Sequence, residues 1–245
     1  MKIVHKDKFI ELPDAILFDT DNTLYEYEPA HKAGMLAVEN KVTRSFSITE
    51  SDFRNAFNQA RTEVKKRLEG TASSHSRLLY MQRMLELMGL GSQTLWTLDL
   101  EQTYWRTFLS NAHLFSGVKE LLLEIKRLGI PTAIITDLTA QIQFRKIVYF
   151  GLDNDFDFIV TSEESLYDKP HPAPFEICIE KISPKGKNIW MIGDNPINDI
   201  QGAKSAIGAT TLQKIHAGVI PGDADLFFEG FESLTTLINQ MPTHA

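Results

Sequence analysis

Five short apolar runs, each followed by polar residues and separated by helical patterns, constrain this chain more than any other feature. They span residues 15–18, 131–135, 156–160, 188–192 and 209–212. Their length and β-branched content predict strands buried on both faces. Between them, Val118, Leu121, Leu122, Ile125 and Leu128 share one helical face, and Gly129 provides the stop. Phe144, Ile147 and Val148 mark a second helix. Residues 175–182 form a third, entered through the Pro-rich stretch 169–174. Residues 196–206 form a fourth, with Pro196 in its first turn. Strands alternating with helices predict an α/β fold, a Rossmann-like parallel sheet covered on both faces. A short strand at 226–228, a closing helix at 231–239 and a loose tail over 241–245 complete the reading.

Residues 29–111 break that rhythm and contain no convincing strand. Phe53, Phe57, Ala60, Val64 and Leu68 step along a helix, as do Leu78, Leu85 and Met88, with breaks at 70–76 and 89–92. The expected organisation is therefore an α/β core of residues 1–28 and 112–245 with an all-helical insertion at 29–111. The aromatic cluster Trp96, Tyr104, Trp105 and Phe108 reads as the core of that insertion.

A chain of 245 residues with 43% apolar content can build a sizeable core without crosslinks. Its net charge of −7 argues against a nucleic-acid backbone or an anionic membrane as partner, though not against a small anionic substrate. The single cysteine, Cys178, sits at an apolar helical position and rules out an intrachain disulfide. No apolar run has the length of a membrane span, and the first residues lack a signal-peptide pattern, so the cytoplasm is the expected compartment.

In open α/β sheets, ligands bind at the carboxyl ends of the strands. The first expected strand is followed by Asp19-Thr20-Asp21-Asn22-Thr23, and the second by Thr136-Asp137. Asp168-Lys169-Pro170 lies in the loop beyond the third, and Gly193-Asp194-Asn195-Pro196-Ile197-Asn198-Asp199 follows the fourth. If these ends converge, Asp19, Asp21, Asp194 and Asp199 repel one another unless a cation joins them. Ligation by oxygen alone suits Mg²⁺. With one cysteine and scattered histidines, zinc has little support. Lys169 and the Thr136 hydroxyl supply donors for an anion, and the whole set suits phosphoryl transfer. Two aspartates two residues apart can divide the work between attack on phosphorus and proton transfer.

These four segments, in this order and at these strand ends, resemble the four motifs of the haloacid dehalogenase superfamily, in particular its phosphatase branch with a helical cap inserted after the first motif. The resemblance implies a sheet order of 3-2-1-4-5 and a helical cap over the carboxyl edge. It also implies Asp19 as nucleophile, Asp21 as general acid/base, Thr136 as phosphoryl ligand and Lys169 as the cation steadying Asp19 and phosphate. Mg²⁺ is then held by the side chains of Asp19 and Asp194 and the backbone carbonyl of Asp21, with Asp199 in or just behind the metal shell. The chain departs from the family pattern at Asp137, where many members carry Asn, and at His171, where many carry Asp.

The implied reaction is Mg²⁺-dependent hydrolysis of a small phosphate monoester (a sugar phosphate, nucleotide or similar metabolite) through an aspartyl-phosphate. A phosphomutase uses the same intermediate. A 2-haloacid dehalogenase attacks carbon and has no use for Asp21. A non-catalytic binding module would have shed the aspartates kept here. His75 and Arg77, beside a break in the helical insertion, are candidates for substrate specificity, Arg77 as partner for a carboxylate or second phosphate. The insertion's apolar faces leave a homodimer contact open.

Overall fold

A computed structural model describes residues 1–242 of the chain. Met241, expected at the start of a loose tail, is buried, and the tail from residue 243 on lies outside the described residues. The chain forms two compact units, Met1–Glu26 with His113–Ala245, and Tyr27–Ala112.

The second unit is helical: α1 (Tyr27–Phe46), α2 (Glu50–Arg67), α3 (Arg77–Leu87) and α4 (Thr94–Ser110). Thr49 opens α2 by accepting from the Asp52 N–H, and Ser76 opens α3 by accepting from the Leu79 N–H. Each satisfies one backbone donor that the first helical turn leaves open. Tyr104, Trp105 and Phe108 are buried, in line with the expectation of an aromatic core. Trp96 packs on Phe46 with ring centroids 4.9 Å apart.

The first unit carries a sheet of β1 (Lys2–Ile3), β2 (Ala15–Phe18), β3 (Thr132–Thr136), β4 (Phe158–Thr161), β5 (Ile189–Gly193), β6 (Thr210–Lys214) and β7 (Leu226–Phe228). Their spatial order is β1-β7-β6-β5-β2-β3-β4. The five strands expected from the apolar runs occupy the order β4-β3-β2-β5-β6, which is the order the resemblance implied. All pairings are parallel except β1 on β7. The edge strand β1 was not anticipated, because two residues carry no readable periodicity. Leu17 pairs with Ala133 on one side and Met191 on the other, so β2 lies at the sheet's centre. Every residue of β2, β3, β5 and β6 is buried, which is why β2, the middle of β3 and β5 read as apolar runs, while β6 buries Thr210, Thr211, Gln213 and Lys214 as well as Leu212.

Around the sheet lie α5 (Val118–Arg127), α6 (Ala140–Phe150), α7 (Ser162–Ser165), α8 (Pro172–Ile182), α9 (Gly202–Ile207) and α10 (Phe231–Gln240). Phe175, Cys178 and Ile182 of α8 pack with Leu17, Ala133, Ile135 and Met191 on one sheet face. Burying a side chain such as Phe175 contributes about 1.5–3 kcal/mol. Burial also pushes the Cys178 thiol up to about 12, so it stays protonated as a core group.

Helix α6 lies where the sequence predicts a helix, but periodicity did not show which side chains turn inward. Of the apolar residues that mark it, Ile147 is buried but Phe144 and Val148 are 48% and 64% exposed, whereas Gln143 and Lys146 are buried. Its inward face sets these two polar side chains beside the apolar Ile142 and Ile147. Among the described residues no helix is long and apolar enough to cross a membrane.

Candidate active site

The site begins one residue past β2. The Asp19 N–H donates to the Ile192 carbonyl at 2.9 Å, which holds the end of β2 beside the end of β5. The chain then turns tightly. The Leu24 N–H donates to the Thr20 carbonyl at 2.9 Å, and Asn22 takes φ +63°, a conformation that Asn tolerates better than most residues. The turn brings the Thr23 hydroxyl back to Asp19 Oδ2 at 3.0 Å.

The other carboxylate oxygen, Asp19 Oδ1, accepts from Lys169 Nζ at 2.7 Å. Lys169 also donates to Asp199 Oδ1 at 2.6 Å and to the Ile135 carbonyl at 3.1 Å, so its three donors all have partners in a buried setting. Burial alone would lower the Lys169 pKa, but the charges of Asp19 and Asp199 outweigh it and hold the pKa well above the ordinary lysine value. Asp199 Oδ2 accepts from the Asn195 N–H at 2.9 Å. Asn195 itself caps the following turn, its Oδ1 accepting from the N–H groups of Ile197 and Asn198. The capping task therefore falls to Asn195 and not to Asp194. Close approach of this turn to the end of β5 requires Gly193, since a Cβ there would lie 2.4 Å from Asp199 Cβ.

Asp19, Asp194 and Asp199 each bring a carboxylate oxygen to within 4.8 Å of the others. Burial is the main force raising Asp19 to about 7, with Lys169 opposing it and Asp199 adding to it. Asp194 is raised to about 8 by burial and then by the charges of Asp19 and Asp199. Three carboxylates around one ammonium leave excess negative charge in a poorly solvated space. A hard divalent cation would relieve that excess, and the all-oxygen donor set fits Mg²⁺.

Thr136, at the end of β3, is buried beside Thr20, with the two hydroxyl oxygens 2.8 Å apart. Gln143 Nε2 donates to Thr136 Oγ1 at 2.8 Å and to the Asp137 carbonyl at 2.7 Å. Asp137 accepts at Oδ1 from the Lys169 N–H at 2.9 Å and from the Ser162 hydroxyl at 3.1 Å. It thus ties the loop carrying Lys169 to the end of β3. His171 caps α8 by accepting from the Ala173 N–H and stacks on Tyr167 at 3.9 Å between centroids.

Asp21 accepts from Lys146 Nζ at 2.7 Å on Oδ1 and 3.0 Å on Oδ2, and from the Tyr25 hydroxyl. The structure thus gathers Asp19, Asp21, Thr136, Lys169, Asp194 and Asp199 on the α/β unit. Gln143, Lys146 and Tyr25 join them unforeseen. The signal that could have found the first two was two polar residues three apart on a helix whose other residues are largely apolar. His75 and Arg77 lie in the helical unit. Arg77 Nη1 donates to the His75 carbonyl at 2.7 Å and Nη2 to the Tyr27 hydroxyl. Its guanidinium also lies 5.4 Å from the Tyr104 ring centroid and 5.7 Å from that of Trp105.

The chain is similar to known proteins. The chain is 36% identical over 199 residues to a ribulose-1,5-bisphosphate 5-phosphatase of Halopiger xanaduensis, covering 81% of this chain and 83% of that one. It is 29% identical to a glyceraldehyde 3-phosphate phosphatase of Pyrococcus furiosus, covering 80% and 78%. A HAD phosphatase structure from Thermococcus onnurineus superposes with a TM-score of 0.71 at 23% identity, over 93% of this chain and 98% of that one, a likeness of fold. A family model described as haloacid dehalogenase-like hydrolase matches residues 13–206, from just before β2 into α9. With its motif residues assembled on one sheet edge, this chain belongs to the haloacid dehalogenase-like hydrolases.

Proposed function

We propose that this protein hydrolyses a small phosphate monoester, with Asp19 as nucleophile and Asp21 as general acid/base. The observation that carries the reading is the placement of Asp19: one oxygen on Lys169, the other on Thr23, at the mouth of an acidic cluster. An Asp19 oxygen attacks phosphorus, the bond from phosphorus to the ester oxygen breaks, and Asp21 gives that oxygen a proton. Water then attacks the aspartyl-phosphate, Asp21 takes a proton from it, and inorganic phosphate leaves with Asp19 restored. Thr136 and Lys169 serve as donors to the phosphoryl oxygens.

Asp19, Asp194 and the Asp21 backbone carbonyl are the groups that would hold Mg²⁺, which when bound neutralises charge on the phosphoryl group. Asp199, with its oxygens engaged by Lys169 and Asn195, steadies the lysine from behind. The names of the two relatives, phosphatases of ribulose-1,5-bisphosphate and glyceraldehyde 3-phosphate, support a sugar-phosphate class of substrate. We read the helical unit as the cap that restricts the site to such small molecules, with His75 and Arg77 as its specificity residues and the cytoplasm as its compartment. Attack on a carbon–halogen bond would leave Asp21 idle, because a halide needs no proton on departure.

The test is phosphate release from a panel of sugar phosphates, nucleotides and phosphorylated acids, with and without Mg²⁺, for the native chain and Asp19→Asn. Mg²⁺-dependent release lost in the variant is expected. Turnover surviving verified Asp19→Asn would overturn the assignment of the nucleophile. Transfer of phosphate to a second sugar hydroxyl, without net release, would replace the hydrolase by a mutase.

A further inference from the structure

Helix α6 buries two polar side chains beside Ile142 and Ile147, more than covering a sheet requires. It buries Gln143 and Lys146, at spacing i and i+3, and leaves Phe144, Val148 and Tyr149 about half exposed or more. A lysine with 2% of its side chain exposed is costly, since an ion leaving water loses several kcal/mol unless it is paired. An apolar residue of the same length would serve packing as well or better. The two polar side chains have a common destination: Gln143 reaches Thr136, and Lys146 reaches Asp21.

The Lys146 contact is specific in form. Its ammonium straddles the carboxylate, 2.7 Å from Oδ1 and 3.0 Å from Oδ2, and lies 5.8 Å from the Tyr25 ring centroid. The Tyr25 hydroxyl donates to Oδ1 of the same carboxylate. The Asp21 side chain is 35% exposed, so solvent alone would leave it free to turn about its last side-chain bond. Two donors from two elements remove that freedom. Proton transfer depends on heavy-atom distances of hydrogen-bond length, so an error of an ångström in the carboxyl's position is felt in rate.

We infer that Lys146 is a positioning residue for Asp21, fixing the carboxyl where it meets the ester oxygen. The inference rests on the reading of Asp21 as general acid. It requires that loss of Lys146 be felt most where the leaving group needs a proton.

The experiment compares kcat/KM for an alkyl phosphate, such as a sugar phosphate, with that for p-nitrophenyl phosphate. That ratio covers only the steps through formation of the aspartyl-phosphate, so slow dephosphorylation does not mask the leaving group. Lys146→Met should lower kcat/KM for the alkyl ester by about tenfold to a hundredfold, the size expected of a misplaced catalytic group. The aryl ester should fall by less than about threefold, because a nitrophenolate departs without proton help. Lys146→Arg should recover part of the alkyl rate, and Lys146→Gln provides the same comparison if the Met variant does not fold. Adding Lys146→Met to Asp21→Asn should cost nothing further. Equal losses on both esters, or none on either, would overturn the proposal. If Asp21→Asn shows the leaving-group dependence and the Lys146 variants do not, only the role of Lys146 falls. If Asp21→Asn itself lacks that dependence, the acid assignment falls and the proposal with it.

Discussion

Lys169 Nζ and Asp19 Oδ1, separated by 150 residues of chain, lie 2.7 Å apart in a buried setting. The same ammonium separates Asp19 from Asp199. Replacing Lys169 by Met would leave two carboxylates facing each other out of water. Removing one partner of such a buried group costs about 3–5 kcal/mol. Lys169→Met should therefore lose turnover and also melt at a clearly lower temperature at neutral pH. Melting at the native temperature would show that the lysine has no part in holding the cluster.

Gly193 gives a prediction from space alone. A methyl group at this position, the last of β5, would meet Asp199 Cβ at 2.4 Å and its Oδ2 at 2.5 Å. Gly193→Ala should destabilise the fold by about 1–3 kcal/mol, the usual cost of forcing atoms into a packed interior. It should also reduce turnover by shifting Asp199 away from Lys169. Urea unfolding and phosphate release check the two parts separately. A variant as stable as the native chain would mean that the turn yields without strain.

The acidic cluster predicts stabilisation by a divalent cation. A ligand that binds only the folded state at a hundred times its Kd adds about 2.7 kcal/mol. Mg²⁺ should raise the melting temperature of the native chain, and Asp194→Asn should remove most of that rise. An equal rise in both proteins would place the ion elsewhere.

Acid stability turns on Asp225, away from these groups. It is fully buried just before β7, where it accepts from the Thr211 N–H at 2.8 Å and hydroxyl at 3.0 Å, from His5 at 2.8 Å and from Lys8 at 2.9 Å. Burial alone would raise its pKa, but the hydrogen bonds from Thr211, Lys8 and His5 outweigh it and hold it at about 2. A carboxyl with a lowered folded pKa adds stability above its unfolded pKa and loses it as pH falls through the folded value. The window is thus between pH about 4 and about 2, and the contribution is about 2 kcal/mol. Asp225→Asn should show a shallower fall in unfolding free energy across that window than the native chain. Parallel curves would contradict the assignment.

The amino-acid order alone determined the strands of the α/β unit other than β1 and the residues at their ends, while their order in the sheet followed from the family resemblance. Buried parallel strands must be apolar on both faces, so they appear as short unbroken runs. The residues that follow them must then lie at one edge, and that is where Asp19, Thr136 and Asp194 are found. The same logic located the polar breaks before Arg77 and after α3, because helix starts and stops have a local chemistry of their own.

Helix α6 shows what only the tertiary structure decided. Periodicity announced a helix at Phe144, Ile147 and Val148 but not which face turns inward. Buried polar side chains are tolerated only when partners satisfy them, and those partners, Thr136 at the end of β3 and Asp21 in the turn after β2, lie outside the helix. The same reason hid the Asp137 link to Lys169 and the two-residue pairing of β1 with β7, each of which depends on residues far along the chain. Local sequence specifies elements and strand ends. Which polar side chains meet across the sheet edge is settled when the strands pair and the helices pack.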